Sequence, residues 1–191
     1  MIVFEGLDQS GKQTQAELLR DRLRQHGRNS RITSFPDYGT PIGEEIARAL
    51  QGERDYAADV MQLLYIANRY ERKPDLLRWI EGGLVLVCDR YVASSVAYGE
   101  AQGLDPAWLS DMQKFLPAAT LTILLDITPE TAVARKAVGR DRYERDLAMQ
   151  ARVRQSYYRQ AAEGWTVLDG ERPKETVAAD VLRTVMARLT P

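Results

Sequence analysis

The apolar run MIVFE (1–5) leads without a break into GLDQSGKQT (Gly6 to Thr14), and that junction constrains the chain more than any other feature. It matches the phosphate-cradling pattern GxxxxGK[ST] through Lys12, with Gln13 where a magnesium-touching hydroxyl usually stands. A loop that wraps phosphate must bring several backbone N–H groups to one point, and glycine permits this because it has no side chain and accepts positive φ. Gly6 and Gly11 meet that need. A helix starting near Lys12 aims its positive end at the same anion, and the Lys12 ammonium neutralises charge on the transferred phosphoryl group. The strand before the loop and the helix after it are the context that separates such a site from a structural turn.

The rest of the chain repeats that alternation. Short runs rich in Val, Ile and Leu, at 1–5, 30–35, 83–89, 120–126 and 165–169, predict strands buried on both faces. Between them, amphipathic stretches predict helices at 12–26, 41–51, 56–80, 92–102, 106–115, 129–138, 144–162 and 173–188. Gly27 closes the first of these after His26, read as a surface or capping residue, and Pro74 should kink or divide the third. The pattern is that of an α/β fold, a five-stranded parallel sheet with helices on both faces. With 191 residues, 45% of them hydrophobic, the chain suits one domain with one sizeable core. Three strands end in an acid, Asp89, Asp126 and Asp169. Ligands bind beyond the carboxyl ends of such strands, so the glycine loop after the first strand and Asp89 after the third can share a cleft.

Charge and cysteine usage narrow the function. A formal net charge of -1 supplies no positive field for a nucleic-acid backbone, so no nucleic-acid partner is expected. The single cysteine, Cys88, excludes an intrachain disulfide framework, fits a reducing, cytoplasmic setting, and in its apolar run reads as a small core residue. No apolar run approaches the ~18 residues of a bilayer span and no leader-like N-terminus is visible, so no membrane is expected.

Several side chains fit a second substrate. Asp89 ends LVLVC as a metal-site acid that would hold Mg²⁺ through water, with Gln13 contributing little, because Mg²⁺ retains several waters. Thr14 is a poor substitute for the missing hydroxyl, being turned about 100° further around the helix. Arg90 can fork onto a phosphate beside that metal. Ser94 and Tyr98 share a helix face next to Ser95, but spacing alone favours a serine pair at a helix start and a core tyrosine. Met61, Tyr65 and Arg69 also share a face: a ring stacked on a base with an arginine bonding its edge, or a core tyrosine beside a solvated arginine. The basic run from Arg135 to Asp146, including Arg140 and Arg142, is either a solvated helix face or a lid that closes over nucleotide.

Taken in order, FEGLDQSGKQTQ, FPDYGTPIG, ANRYE, DRYVASSVAYG, LLDITPETAVAR and RDRYERD resemble the thymidylate kinase family across most of the chain, DRYVASSVAY being the most specific piece. The resemblance implies a P-loop NTPase fold with a short lid at about 136–146, phosphoryl transfer from ATP to dTMP with Mg²⁺, and a homodimer. It places ATP on Gly6, Leu7, Asp8, Gln9, Ser10, Gly11, Lys12, Gln13, Thr14 and Arg135, with DGERP (169–173) beside adenine. Asp8 resembles the acid at the sugar 3′-hydroxyl, Phe35 and Tyr38 the segment flanking the dTMP phosphate, and Arg90 the phosphate arginine. Tyr65 resembles the ring stacked on thymine, Arg69 and Ser95 its polar contacts with Ser94 beside them, and Tyr98 the floor that disfavours a 2′-hydroxyl. Lys12, Arg90, Arg140 and Arg142 are the implied catalytic cations. Asp37 stands where many relatives carry an arginine for the dTMP phosphate, so that role is either missing from this chain or assumed by Arg90. The rival readings are a nucleoside or nucleoside monophosphate kinase with another base preference, and a nucleotide-binding regulatory protein without catalysis.

Overall fold

The computed structural model describes residues 1–135 and 146–189. Its strands are β1 (Ile2–Glu5), β2 (Ser30–Ser34), β3 (Val85–Asp89), β4 (Leu121–Asp126) and β5 (Thr166–Asp169). Its helices are α1 (Lys12–Gln25), α2 (Pro41–Leu50), α3 (Ala58–Glu81), α4 (Val92–Ala101), α5 (Pro106–Asp111), α6 (Pro129–Arg135), α7 (Leu147–Ala161) and α8 (Lys174–Leu189). All strand pairs are parallel, in the order β2-β3-β1-β4-β5.

Side chains alternate across the central strands, and each face is covered. Ile2 and Phe4 of β1, with Val87, Ile123 and Leu125, pack against Ala16, Leu19 and Leu23 of α1 and Val177, Val181 and Val185 of α8. Val3, Leu86 and Cys88 point the other way, onto Leu76 and Trp79 of α3. Leu124 on that second face meets Ala97 and Ala101 of α4 and Val153 and Tyr157 of α7. Cys88 is fully buried, its thiol pushed well above its ordinary pKa by burial, as a small core residue should be. Among the described residues, no helix is long and apolar enough to cross a membrane.

Three expectations need correction. Burial on both faces holds for β1, but β2 and β5 are edge strands and half-exposed, with Val167 43% exposed. Pro74 does not divide α3, which runs unbroken for 24 residues. Its missing N–H removes one rung of the helix ladder, while Met61 and Ile66 before it and Leu76 and Trp79 after it anchor both halves in the core. The expected helix 106–115 is helical only over Pro106–Asp111; short-range bonds from Gln113 to Ser110 and Leu116 to Gln113 then lead to Pro117, which cannot continue a helix. His26 is the residue that ends α1, with Nδ1 2.8 Å from the Arg22 carbonyl.

Candidate active site

The loop between β1 and α1 is shaped by two glycines. Gly6 has φ +141°, and a Cβ there would lie 2.4 Å from the Leu125 carbonyl oxygen; Gly11, at φ +92°, opens α1. Lys12 then starts the helix, almost fully buried, with Nζ donating to the Leu7 carbonyl at 2.7 Å and standing 3.4 Å from Ser10 Oγ. Burial, and after it the neighbouring Arg90, lower the Lys12 pKa to about 8, against the opposing pull of Asp89, Asp8 and Glu5.

The β1–β3 register pairs Phe4 with Asp89, so the acid at the tip of β3 stands beside the loop. Asp89 Oδ1 is buried and has no hydrogen-bond partner. An orphaned carboxylate oxygen facing a phosphate loop is a hard donor, and it fits a magnesium ion. Gln13 is exposed, and its amide donates to Glu17 at 3.0 Å; Thr14 is also exposed.

Arg90, one residue on, takes φ +65° and donates its backbone N–H to the Phe4 carbonyl. Its guanidinium bonds Asp8, lies 3.1 Å from Ser94 Oγ, 3.2 Å from Tyr157 OH and 3.4 Å from Tyr98 OH, and sits over the Tyr98 ring. Burial works against ionisation of Asp8, but Arg90 and Lys12, with hydrogen bonds from Arg90 and Tyr98, outweigh it and hold the carboxyl at about 2.

Two cavities meet at this point. The larger, about 750 Å³, is lined by Asp8 through Thr14, Asp89, Arg90, Arg135, Gly170 and Arg172. Arg135 donates to the Gln9 and Gly170 carbonyls at 3.1 and 2.9 Å, tying the phosphate loop to the turn after β5. The smaller, about 100 Å³, is lined by Tyr65, Arg69, Ser94, Ser95 and Tyr98, and shares Asp8, Phe35, Pro36, Tyr38 and Arg90 with the larger. Arg69 is 2% exposed; its Nη1 donates to Ser95 Oγ at 2.7 Å and Gln113 Oε1 at 3.1 Å, while its Nε is buried without a partner. Burial lowers its pKa from the ordinary value.

The sequence-expected residues therefore divide. Every side chain assigned to the second substrate lines the smaller pocket. Of the loop set, Gly6 and Leu7 do not line the larger cleft; they lie beneath it, Leu7 in the core. Arg140, Arg142 and all of the expected lid at about 136–146 except Asp146, which caps α7, lie outside the described residues. Asp37 lines neither cavity: its carboxylate pairs with Arg72 at 3.1 Å and accepts from the Gly39 N–H, and its own N–H donates to Asn68. Sequence reasoning missed Gln62 and Gln102 at the wall of the smaller cavity and Gln113 behind Arg69, whereas Gly170 and Arg172 of the expected adenine-side turn do line the larger one. Gln113 carries no local signal, since it reaches Arg69 from 44 residues away.

A thymidylate kinase family model matches residues 4–181. Thymidylate kinase of Thermomicrobium roseum is 37% identical, with 96% of this chain and 93% of that protein covered. That of Danio rerio is 35% identical over 95% of this chain and 87% of its own. The solved structure of thymidylate kinase from Candida albicans superposes with a TM-score of 0.83 at 28% identity, covering 97% of this chain and 90% of that one. By its fold, its two joined cavities and these matches, the chain belongs to the thymidylate kinase family.

Proposed function

We propose that this chain transfers the γ-phosphoryl group of ATP to dTMP, giving dTDP and ADP. The observation that carries the reading is the seam between the cavities: Asp8 and Arg90 line both, with the phosphate loop on one side and Arg69, Ser95 and Tyr65 on the other. An oxygen of the dTMP phosphate, already anionic, attacks the γ-phosphorus as its bond to the ADP oxygen breaks in line, so no general base is needed. Catalysis is then positioning and charge neutralisation. Lys12 and Arg90 supply positive charge among the described residues, and Arg140 and Arg142 are assigned the same task from the lid. Asp89 would hold Mg²⁺ through water, and the bound ion would supply charge neutralisation on the donor phosphates.

Arg69 and Ser95 are assigned to the edge of the base, Tyr65 to its face, and Tyr98 to the sugar, where its ring and its bond to Asp8 at 3.0 Å leave little room for a 2′-hydroxyl. A cytoplasmic homodimer belongs to this reading; Val60 and Leu63, exposed on α3, support an interface, and sedimentation checks it. The test of the reaction is ADP formation from ATP and Mg²⁺ with dTMP, dUMP, dCMP, dGMP, AMP and UMP. Preference for dTMP is the expected result. Turnover only with another acceptor overturns the base-pocket assignment, and nucleotide binding without turnover overturns catalysis.

A further inference from the structure

Glu5, the last residue of β1, is completely buried. A carboxylate in that position must be satisfied by donors. Its Oε1 accepts the Tyr91 N–H at 2.8 Å; its Oε2 accepts from the Ser94 hydroxyl at 2.7 Å and the Tyr157 hydroxyl at 3.1 Å. Among the described residues no lysine or arginine hydrogen-bonds to it. The same two hydroxyls, 2.9 Å apart, meet Arg90 Nη1 on their other side, at 3.1 and 3.2 Å.

Counting protons fixes the polarity of this cluster. Each hydroxyl has one proton and two lone pairs, and a carboxylate accepting from three donors has no proton to give back. Whether each hydroxyl donates to Glu5 or one of them donates to the other, both protons are spent within the cluster, at least one of them on Glu5, and lone pairs are left facing the N–H donors of Arg90. We propose that Glu5 is a positioning residue: by orienting the Ser94 and Tyr157 hydroxyls it fixes the Arg90 guanidinium toward the acceptor phosphate. The proposal rests on the assignment of Arg90 to the dTMP phosphate made above.

Glu5→Gln tests it with almost no change in shape. The backbone N–H of Tyr91 claims the amide oxygen, so the amide NH₂ falls opposite Ser94 and Tyr157, donates to them, and turns a hydroxyl proton toward Arg90. The expected result is a rise in KM for dTMP of about tenfold, the scale of losing a hydrogen bond to a charged group, with KM for ATP within about twofold. Tyr157→Phe removes one acceptor of Arg90 and one of the three donors to Glu5 while keeping the carboxylate itself, and is expected to raise KM for dTMP by about threefold, again sparing ATP. In the double variant the misdirected Tyr157 hydroxyl is gone, so the two effects combine to less than their product.

Equal loss toward ATP and dTMP, or a lower melting temperature with wild-type KM and kcat, would overturn the proposal. If Glu5→Gln does not fold, Tyr157→Phe decides, and an unchanged KM for dTMP refutes it. Wild-type chain that fails to phosphorylate dTMP refutes the acceptor reading itself, an outcome visible before any variant is made.

Discussion

Replacing Asp8 by asparagine removes one negative charge from the seam between the cavities and almost no volume. In the wild-type chain Arg90, Lys12 and the Tyr98 hydroxyl prevail over burial and lower the Asp8 pKa from its ordinary 3.8 to about 2. Each tenfold change in proton affinity is worth about 1.4 kcal/mol, so ionised Asp8 contributes about 2 kcal/mol to stability. The side chain is 31% exposed, which makes that figure an upper value. Because the folded-state pKa is the depressed one, the contribution is complete above 3.8 and is lost as pH falls through about 2. Asp8→Asn should therefore unfold with about 2 kcal/mol less free energy near neutrality, and the gap from wild type should close between about pH 4 and pH 2. Urea unfolding at a series of pH values, extrapolated linearly to water, measures this. The same substitution in an Arg90→Met background should cost less, since the main attractive partner is gone. A gap that stays constant with pH, or widens in acid, would refute the electrostatic account.

Gly6→Ala puts a Cβ 2.4 Å from the Leu125 carbonyl oxygen, at a φ that alanine resists. It should cost more than about 2 kcal/mol of stability and most of the nucleotide affinity; a thermal shift with ATP like that of wild type would contradict this. Gln13→Ala breaks only the exposed bond to Glu17, so magnesium-dependent turnover should stay within about twofold, and its abolition would show that Gln13 serves the metal. Burial and Arg90 bring Lys12 to about 8, so free chain loses this charge as pH rises through that value. ATP binding near pH 9 should then take up a proton, seen by calorimetry in buffers of different ionisation heat. Lys12→Arg should abolish the uptake, and no uptake in wild type would contradict the assignment.

How much of this was legible in the sequence follows from how local each feature is. The phosphate loop is contiguous and its conformation is dictated by its own residues, so Gly6, Gly11 and Lys12 could be read directly. The strands were legible as apolar runs, yet nothing in SRITSF or WTVLD says that they form the two edges; that is decided by pairing with β3 and β4. Helical spacing put Tyr65 with Arg69 and Ser94 with Tyr98, but left core and pocket equally open for the first pair and favoured the core for the second. Only the packing of α3 against α4, which brings Arg69 within 2.7 Å of Ser95, settles which faces meet. Asp37 read as a gap in phosphate binding because its partner, Arg72, is a helix away. Glu5 did offer a signal, an acid ending an otherwise apolar strand, but Tyr157, which completes its cluster, lies 152 residues further on.

The geometry at the tip of β3 explains why two substrates can be served by adjacent residues. Asp89 is the last residue of β3 and Arg90 lies just beyond it, outside the strand's alternation, and the two neighbours line different walls. Asp89 lines only the larger cleft, whereas Arg90 lines both. Arg90 takes a left-handed backbone, φ +65°, a conformation costing a bulky residue about 1 kcal/mol or more. That cost persists because the side chain is held by Asp8, Ser94, Tyr98 and Tyr157 at once, and the backbone N–H by Phe4. Relaxing the backbone would break that set together. On the proposed assignment, an arginine held this way at the shared wall would meet the acceptor phosphate where the two cavities join without reorganising as the phosphoryl group is transferred.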